Sequence, residues 1–141
     1  MTVGKACTRI VVTAHPEDTV QEVAKRMAQY EVGTLIVTEA HKPVGIITDR
    51  DLVLRVMAKE LRPQETTVRA VMTGNPVCIS EYTPLEEAIV LMRGYGVRRL
   101  IVVNAKKELV GILSLDDLLL LLGEEQQAVA GLMRTARSHR E

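Results

Sequence analysis

Gly45-Ile46-Ile47-Thr48-Asp49-Arg50-Asp51 and Gly111-Ile112-Leu113-Ser114-Leu115-Asp116-Asp117 are one short pattern written twice. Each reads glycine, two aliphatic residues, a hydroxyl, two variable positions and an aspartate. The aliphatic pair has strand character, and Thr or Ser is a favoured helix N-cap. Each stretch therefore predicts a strand that turns directly into a helix at its hydroxyl.

Outward from these two stretches the likeness continues. At a displacement of 65 residues, Thr2, Val3, Thr8 and Val12 meet Thr67, Val68, Thr73 and Val77. Glu22, Met27, Tyr30 and Val32 meet Glu87, Met92, Tyr95 and Val97, and Leu35-Ile36-Val37 meets Leu100-Ile101-Val102. One additional residue near Leu109 moves the displacement to 66 for the quoted stretches. Between Thr2 and Leu54 there are 19 identical pairs, where ordinary residue frequencies give about three. The period exceeds that of the common solenoid repeats, so two copies point to a pseudo-twofold pair.

Each copy predicts the order β-α-β-β-α, an α/β fold. Ile10-Val11-Val12 and Val77-Cys78-Ile79 open the copies with strand character. Val20, Val23, Ala24 and Met27 recur at helical spacing, as do Leu85, Ala88, Ile89 and Met92, with Asp18 or Thr83 placed to cap. Leu35–Val37 and Leu100–Val103 are unbroken apolar runs, expected as strands buried on both faces. Val44–Ile47 and Val110–Leu113 give the strands that run into the quoted corners. The expected division is 2–60 for the first copy, 61–67 for a linker with Pro63, 68–122 for the second copy and 123–141 for a C-terminal helix and tail. Gly123 is expected to break the preceding helix. Val129, Leu132 and Met133 should share a face of the next one, and residues 137–141 should fray. A copy this short buries too little surface alone, so the two are expected to share a core.

The chain has 141 residues, 18 basic and 18 acidic, with no net charge. That balance argues against a broad nucleic-acid or anionic-membrane surface. With no Trp or Phe and three Tyr, stacking of bases on an aromatic platform is not expected. No apolar run is longer than Leu118 to Leu122, which is far shorter than a membrane span. No apolar signal core follows Met1, so the expectation is a soluble cytoplasmic protein that starts there. Cys7 and Cys78 lie far apart with no CxxC spacing, and they read as reduced thiols. A metal site joining them to His15 or His41 lacks any local ligand pair, so no metal is expected.

No nucleophile, metalloprotease, Walker or dinucleotide signature occurs, and His15, His41 and His139 are scattered, so no catalytic residue is expected. Asp49 and Asp116 read as helix-start charges. The recurring hydroxyl and the Asp three residues later admit two readings. In one they cap and complement a helix start. In the other, the free N–H groups of that corner and the hydroxyl of Thr48 or Ser114 meet a phosphate, while Asp51 or Asp117 accepts from ribose hydroxyls.

Both stretches resemble the end of a cystathionine-β-synthase-type (CBS) domain, whose signature is Gly-apolar-x-Ser/Thr-x-x-Asp. Met72-Thr73-x-x-Pro76 is similar to that family's lead-in to its first strand. Val97-Arg98-Arg99-Leu100-Ile101-Val102-Val103 resembles its central strand, with Ile101 where proline is frequent. The resemblance covers residues 2 to about 122 and is close to small stand-alone bacterial and archaeal members. It implies a compact tandem pair, a Bateman-type module, with two clefts between the copies that take adenosine-containing ligands.

Carried over position by position, the resemblance implies two sites. One joins Thr48, Arg50 and Asp51 to Met72 and to Asn75, Pro76, Val77 and Cys78, and then to Val97, Arg98 and Arg99. The other joins Ser114 and Asp117 to Cys7 and to Ile10, Val11 and Val12, and then to Val32, Gly33 and Thr34. Asp116 stands in place of Arg50, and Gly33-Thr34 in place of Arg98-Arg99. The first site is therefore expected to be the stronger nucleotide site. The second should be weak, empty or suited to a less charged ligand. The expected function is regulatory sensing of AMP, ADP or ATP as ligand rather than catalytic cofactor, in a homodimer that acts on an unidentified target protein. The alternative is a protein-interaction scaffold with degenerate pockets.

Overall fold

Both quoted corners form as their sequences predict. The computed structural model describes residues 1–140; Glu141 and the side chains of residues 125, 128, 129 and 133–140 lie outside the described residues. The first copy contains α1 (Val3–Ala6), β1 (Thr13–Ala14), α2 (Val20–Tyr30), β2 (Thr34–Glu39), β3 (Lys42–Thr48) and α3 (Asp49–Asp51). A π-helical run, Leu52–Met57, continues α3. The second contains α4 (Val68–Val71), β4 (Thr73–Gly74), β5 (Cys78–Ser80), α5 (Leu85–Tyr95), β6 (Arg99–Val103), β7 (Leu109–Ser114) and α6 (Leu115–Arg140).

The strands form two sheets, ordered β1-β2-β3-β4 and β5-β6-β7. In each, the opening strand runs parallel to the central one, which pairs antiparallel with the next. The central strands are buried on both faces, as continuous apolar runs require. Leu35 and Val37 face the core under α2, and Leu100 and Val102 face the core under α5. Ile36 and Ile101 point the other way and meet in a third cluster with Val103, Val11, Ile46, Leu109 and Ile112. Ile36 and Ile101 are fully buried there. That cluster is the shared core between the copies.

The lead-in segments are exchanged. Val3, at the start of the first copy, is fully buried in the core of the second, and Val68 and Val71 are buried in the core of the first. The backbone repeats the exchange with matching bonds. Leu85 N–H donates to Met1 O at 3.0 Å, and Val20 N–H donates to Thr66 O at 2.9 Å. Thr8 bridges to Ile112 beside β7, while β4 pairs with β3 through Thr73 and Ile46. The two glycines that open the quoted stretches permit this close approach. A Cβ on Gly45 would lie 2.6 Å from Met72 Sδ, and one on Gly111 would collide with the Thr8 carbonyl.

Several details differ from the sequence reading. The opening strand of the first copy is Thr13–Ala14, with Ile10–Val12 outside it; Ile10 is 91% exposed. Thr19, not Asp18, caps α2 through a reciprocal bond with Glu22, and Asp18 instead pairs with Arg26 at 2.7 Å. Pro84 occupies the cap of α5, and the exchanged Met1 carbonyl meets its first N–H, so Thr83 has no capping role. α6 passes through Gly123 without a break and continues to Arg140. A helical glycine costs about 1 kcal/mol, too little to stop a helix flanked by strong helix formers. Leu132 is exposed, while Val129 and Met133 fall outside the described side chains.

Candidate functional site

The exchange of lead-in segments creates two clefts, each walled by both copies. The first has a volume of about 380 Å³ and lies at the end of β3. Ile46, Thr48 and Asp51 form one wall, Thr73 and Asn75 to Val77 a second, and Val97 to Arg99 a third. Small-molecule sites of this kind run from roughly 300 Å³ upward and mix apolar walls with a few convergent polar groups.

Local folding fixes the polar corner. Asp49 N–H donates to Gly33 O at 2.9 Å and ties the start of α3 to the approach of β2. Asp51 N–H donates to Thr48 Oγ1 at 3.2 Å, and Thr48 N–H donates to Asp51 Oδ2 at 2.9 Å. The Thr48 hydroxyl proton is not used by this capping box. The other Asp51 oxygen lies 3.6 Å from Arg55 Nε, and Arg55 also donates to Val71 O at 2.8 Å. Arg55 thus holds the carboxylate in place and ties it to the exchanged α4. A carboxylate offers about four lone-pair sites, so Asp51 retains acceptor capacity toward the cleft.

The second cleft, about 290 Å³, is the pseudo-symmetric counterpart. Ser114 and Ile112, Thr8 and Ile10 to Val12, and Val32 to Thr34 line it, with Ile36 at its base and Arg99 at its edge. Its polar corner is less ordered. Asp117 N–H donates to Ser114 Oγ at 3.1 Å, but no described bond returns from Ser114 N–H to Asp117. Leu121 occupies the position of Arg55, so among the described residues no arginine pairs with Asp117 as Arg55 does with Asp51. Asp49 Oδ2 lies 2.8 Å from where a Gly33 Cβ would sit, which puts an acid beside the cleft.

The first cleft thus brings together Thr48, Asp51, Asn75, Pro76, Val77, Val97, Arg98 and Arg99. Arg50, Met72 and Cys78 stand outside its lining. Met72 packs against Gly45 and the first core, and Cys78 Sγ points to Pro76 O at 3.5 Å. The second cleft gathers Ile10, Val11, Val12, Val32, Gly33, Thr34 and Ser114, but not Cys7 or Asp117. Cys7 packs against Gly111 and the second core. Burial raises both thiols, opposed by Arg9 at Cys7 and by Lys107 at Cys78. The sequence reading missed Ile46, Thr73, Thr8 and Arg55. Arg55 was visible as a basic residue one helical turn after Asp51.

Among the described residues, no group of three or more His, Cys, Asp or Glu could hold a metal ion. No described helix is long and apolar enough to cross a membrane.

A family model described as "CBS domain" matches residues 3–58 and 68–124. The uncharacterized protein MK0525 of Methanopyrus kandleri is 36% identical over 120 residues, covering 84% of this chain and 61% of that protein. The chain therefore spans about three fifths of that relative. The solved structure of the CBS domain protein PAE2072 from Pyrobaculum aerophilum, complexed with AMP, is similar with a TM-score of 0.74 at 28% identity, covering 88% of this chain and 99% of that one. The CBS domain pair of MJ0100, in complex with 5′-methylthioadenosine and S-adenosyl-L-methionine, is similar with a TM-score of 0.73 at 26% identity, covering 86% of this chain and 99% of that one.

Proposed function

This chain belongs to the CBS domain family as a tandem pair, and from that membership we propose that it is a non-catalytic regulatory module that senses an adenosine-containing ligand. The observation that carries the proposal is the convergence of Thr48, Asp51, Asn75 to Val77 and Val97 to Arg99 on one cleft between the copies. The two solved relatives bound to adenosine-containing molecules support the ligand class.

In this reading the ligand is an adenine nucleotide of the AMP, ADP or ATP class. The Thr48 hydroxyl donates to a phosphate oxygen, and Asp51 accepts from the ribose hydroxyls. Arg98 and Arg99 supply phosphate charge, a role suited to guanidinium geometry. Ile46, Pro76, Val77 and Val97 offer the base an aliphatic surface. The second cleft, with exposed Ile10 and without the counterparts of Arg98 and Arg55, suits a weaker or less charged ligand.

Regulation requires a ligand to favour one arrangement of the copies or chains over another. Exposed Tyr30, Val53, Met57, Leu119 and Leu120 support association into a homodimer that signals to a target protein in the cytoplasm. Neither nucleic acid nor a membrane belongs to this reading. The same exposed side chains favour the competing one, a scaffold whose pockets bind nothing.

Melting curves separate the two. AMP, ADP or ATP at about one hundred times its dissociation constant should stabilise the chain by about 2.7 kcal/mol and raise the melting temperature by roughly 10 °C. An unchanged melting temperature with all three nucleotides would reject the nucleotide reading and leave the scaffold.

A further inference from the structure

Among the described residues, Arg99 alone lines both clefts. Its counterpart in the first copy, Thr34, lines the second cleft alone. The difference follows from side-chain length. Arg99 begins β6 and pairs in register with Ser114, which lines the second cleft. Its long side chain also borders the first cleft beside Arg98 and Val97. Arg99 is exposed and its side chain makes no hydrogen bond or ion pair with another described residue, whereas Arg98 faces Asp116 at 3.6 Å. Its guanidinium is thus uncommitted at the boundary between two candidate phosphate positions.

We propose that Arg99 couples the two clefts, so that a nucleotide phosphate in the first weakens binding of a second nucleotide in the other. The inference rests on the nucleotide reading above. A guanidinium fork can close bidentately on only one phosphate at a time. Occupation of the first cleft draws Arg99 toward that phosphate and withdraws the one cation among the described residues that line the second. The second cleft holds no other arginine or lysine, and Asp49 stands beside it. By linkage the effect is reciprocal. A ligand without phosphate makes no demand on Arg99 and leaves the clefts independent.

Calorimetric titration tests this with AMP and with adenosine. In the unmodified protein AMP should bind in two steps. Asp51→Ala weakens the first cleft and lets the second be measured while the first is empty. AMP should then occupy the second cleft at least about fivefold more tightly than in its second step on the unmodified protein, within the usual range of coupling between sites. In an Arg99→Ala background that difference should disappear. Adenosine is compared in the same way, and its affinity for the second cleft should be unchanged by emptying the first in either background. Two AMP steps with a second-cleft affinity unchanged by emptying the first would overturn the coupling and leave the nucleotide reading intact. A second cleft that takes no AMP in any variant would also overturn it. Absence of any binding by AMP or adenosine would overturn both.

Discussion

Gly111→Ala is expected to destabilise the chain by about 3 kcal/mol, although it adds a single methyl group to a core strand. The new Cβ would collide with the Thr8 carbonyl and come within 2.8 Å of Cys7 Sγ. Thr8 cannot yield cheaply, because its N–H and carbonyl both bond to Ile112, at 2.9 and 3.0 Å. Displacing it would also pull on α1, whose Val3 is fully buried in the second core. Exposing a valine of that kind costs roughly 1.5–3 kcal/mol. Gly94→Ala is the matched control, since nothing lies within 4 Å of its added methyl and it sits inside α5. It should stabilise by roughly 0.5–1 kcal/mol. Urea unfolding of the two variants checks the prediction, which requires opposite signs.

The second large effect concerns binding. Asp51→Ala should weaken the tighter AMP site by roughly 10- to 100-fold, the range set by loss of a charged hydrogen-bond acceptor. Asp117→Ala should leave that site within about twofold, because the residue belongs to the other corner and the tighter site fills while the other cleft is still empty. The asymmetry has a structural cause. Asp51 is held by Thr48 and Arg55, whereas among the described residues neither an equivalent N–H bond nor an arginine holds Asp117. Asp51→Ala also removes half of a capping box, at a cost of about 1 kcal/mol in stability. Circular dichroism at the titration temperature verifies that the variant is folded. Equal losses from both substitutions would remove the distinction between the clefts.

Much of the fold was legible because the sequence repeats and because its signals are local. The spacing of Val20, Val23 and Met27 marks α2, and the unbroken run Leu35–Val37 marks a doubly buried strand. Thr48 and Ser114 mark the strand-to-helix corners. Their neighbours along the chain decide these features. The exchange of lead-in segments was not legible from local pattern, since Val3 and Val68 are ordinary valines whose destination is set by tertiary packing. The cap of α5 was missed for the same reason, because its partner is the distant Met1 carbonyl. The cleft residues were placed through the family resemblance, which carries an exchange that residue patterns alone do not express. It could not tell which side chains turn inward. Met72, Cys7 and Cys78 pack beside the clefts rather than along them. Arg99 was assigned to one cleft by position, and its length extends it to both.

The central claim, that the cleft of Thr48 and Asp51 holds an adenine nucleotide, is tested most directly by titrating AMP into isotopically labelled protein and following backbone amide resonances. The largest changes should fall at Thr48, Asp51, Asn75, Val77, Val97 and Arg98, with smaller or later changes at Ile10 to Val12 and Ser114. Saturating AMP that leaves those six amides unmoved, or that shifts only the exposed faces of α2 and α6, would contradict it.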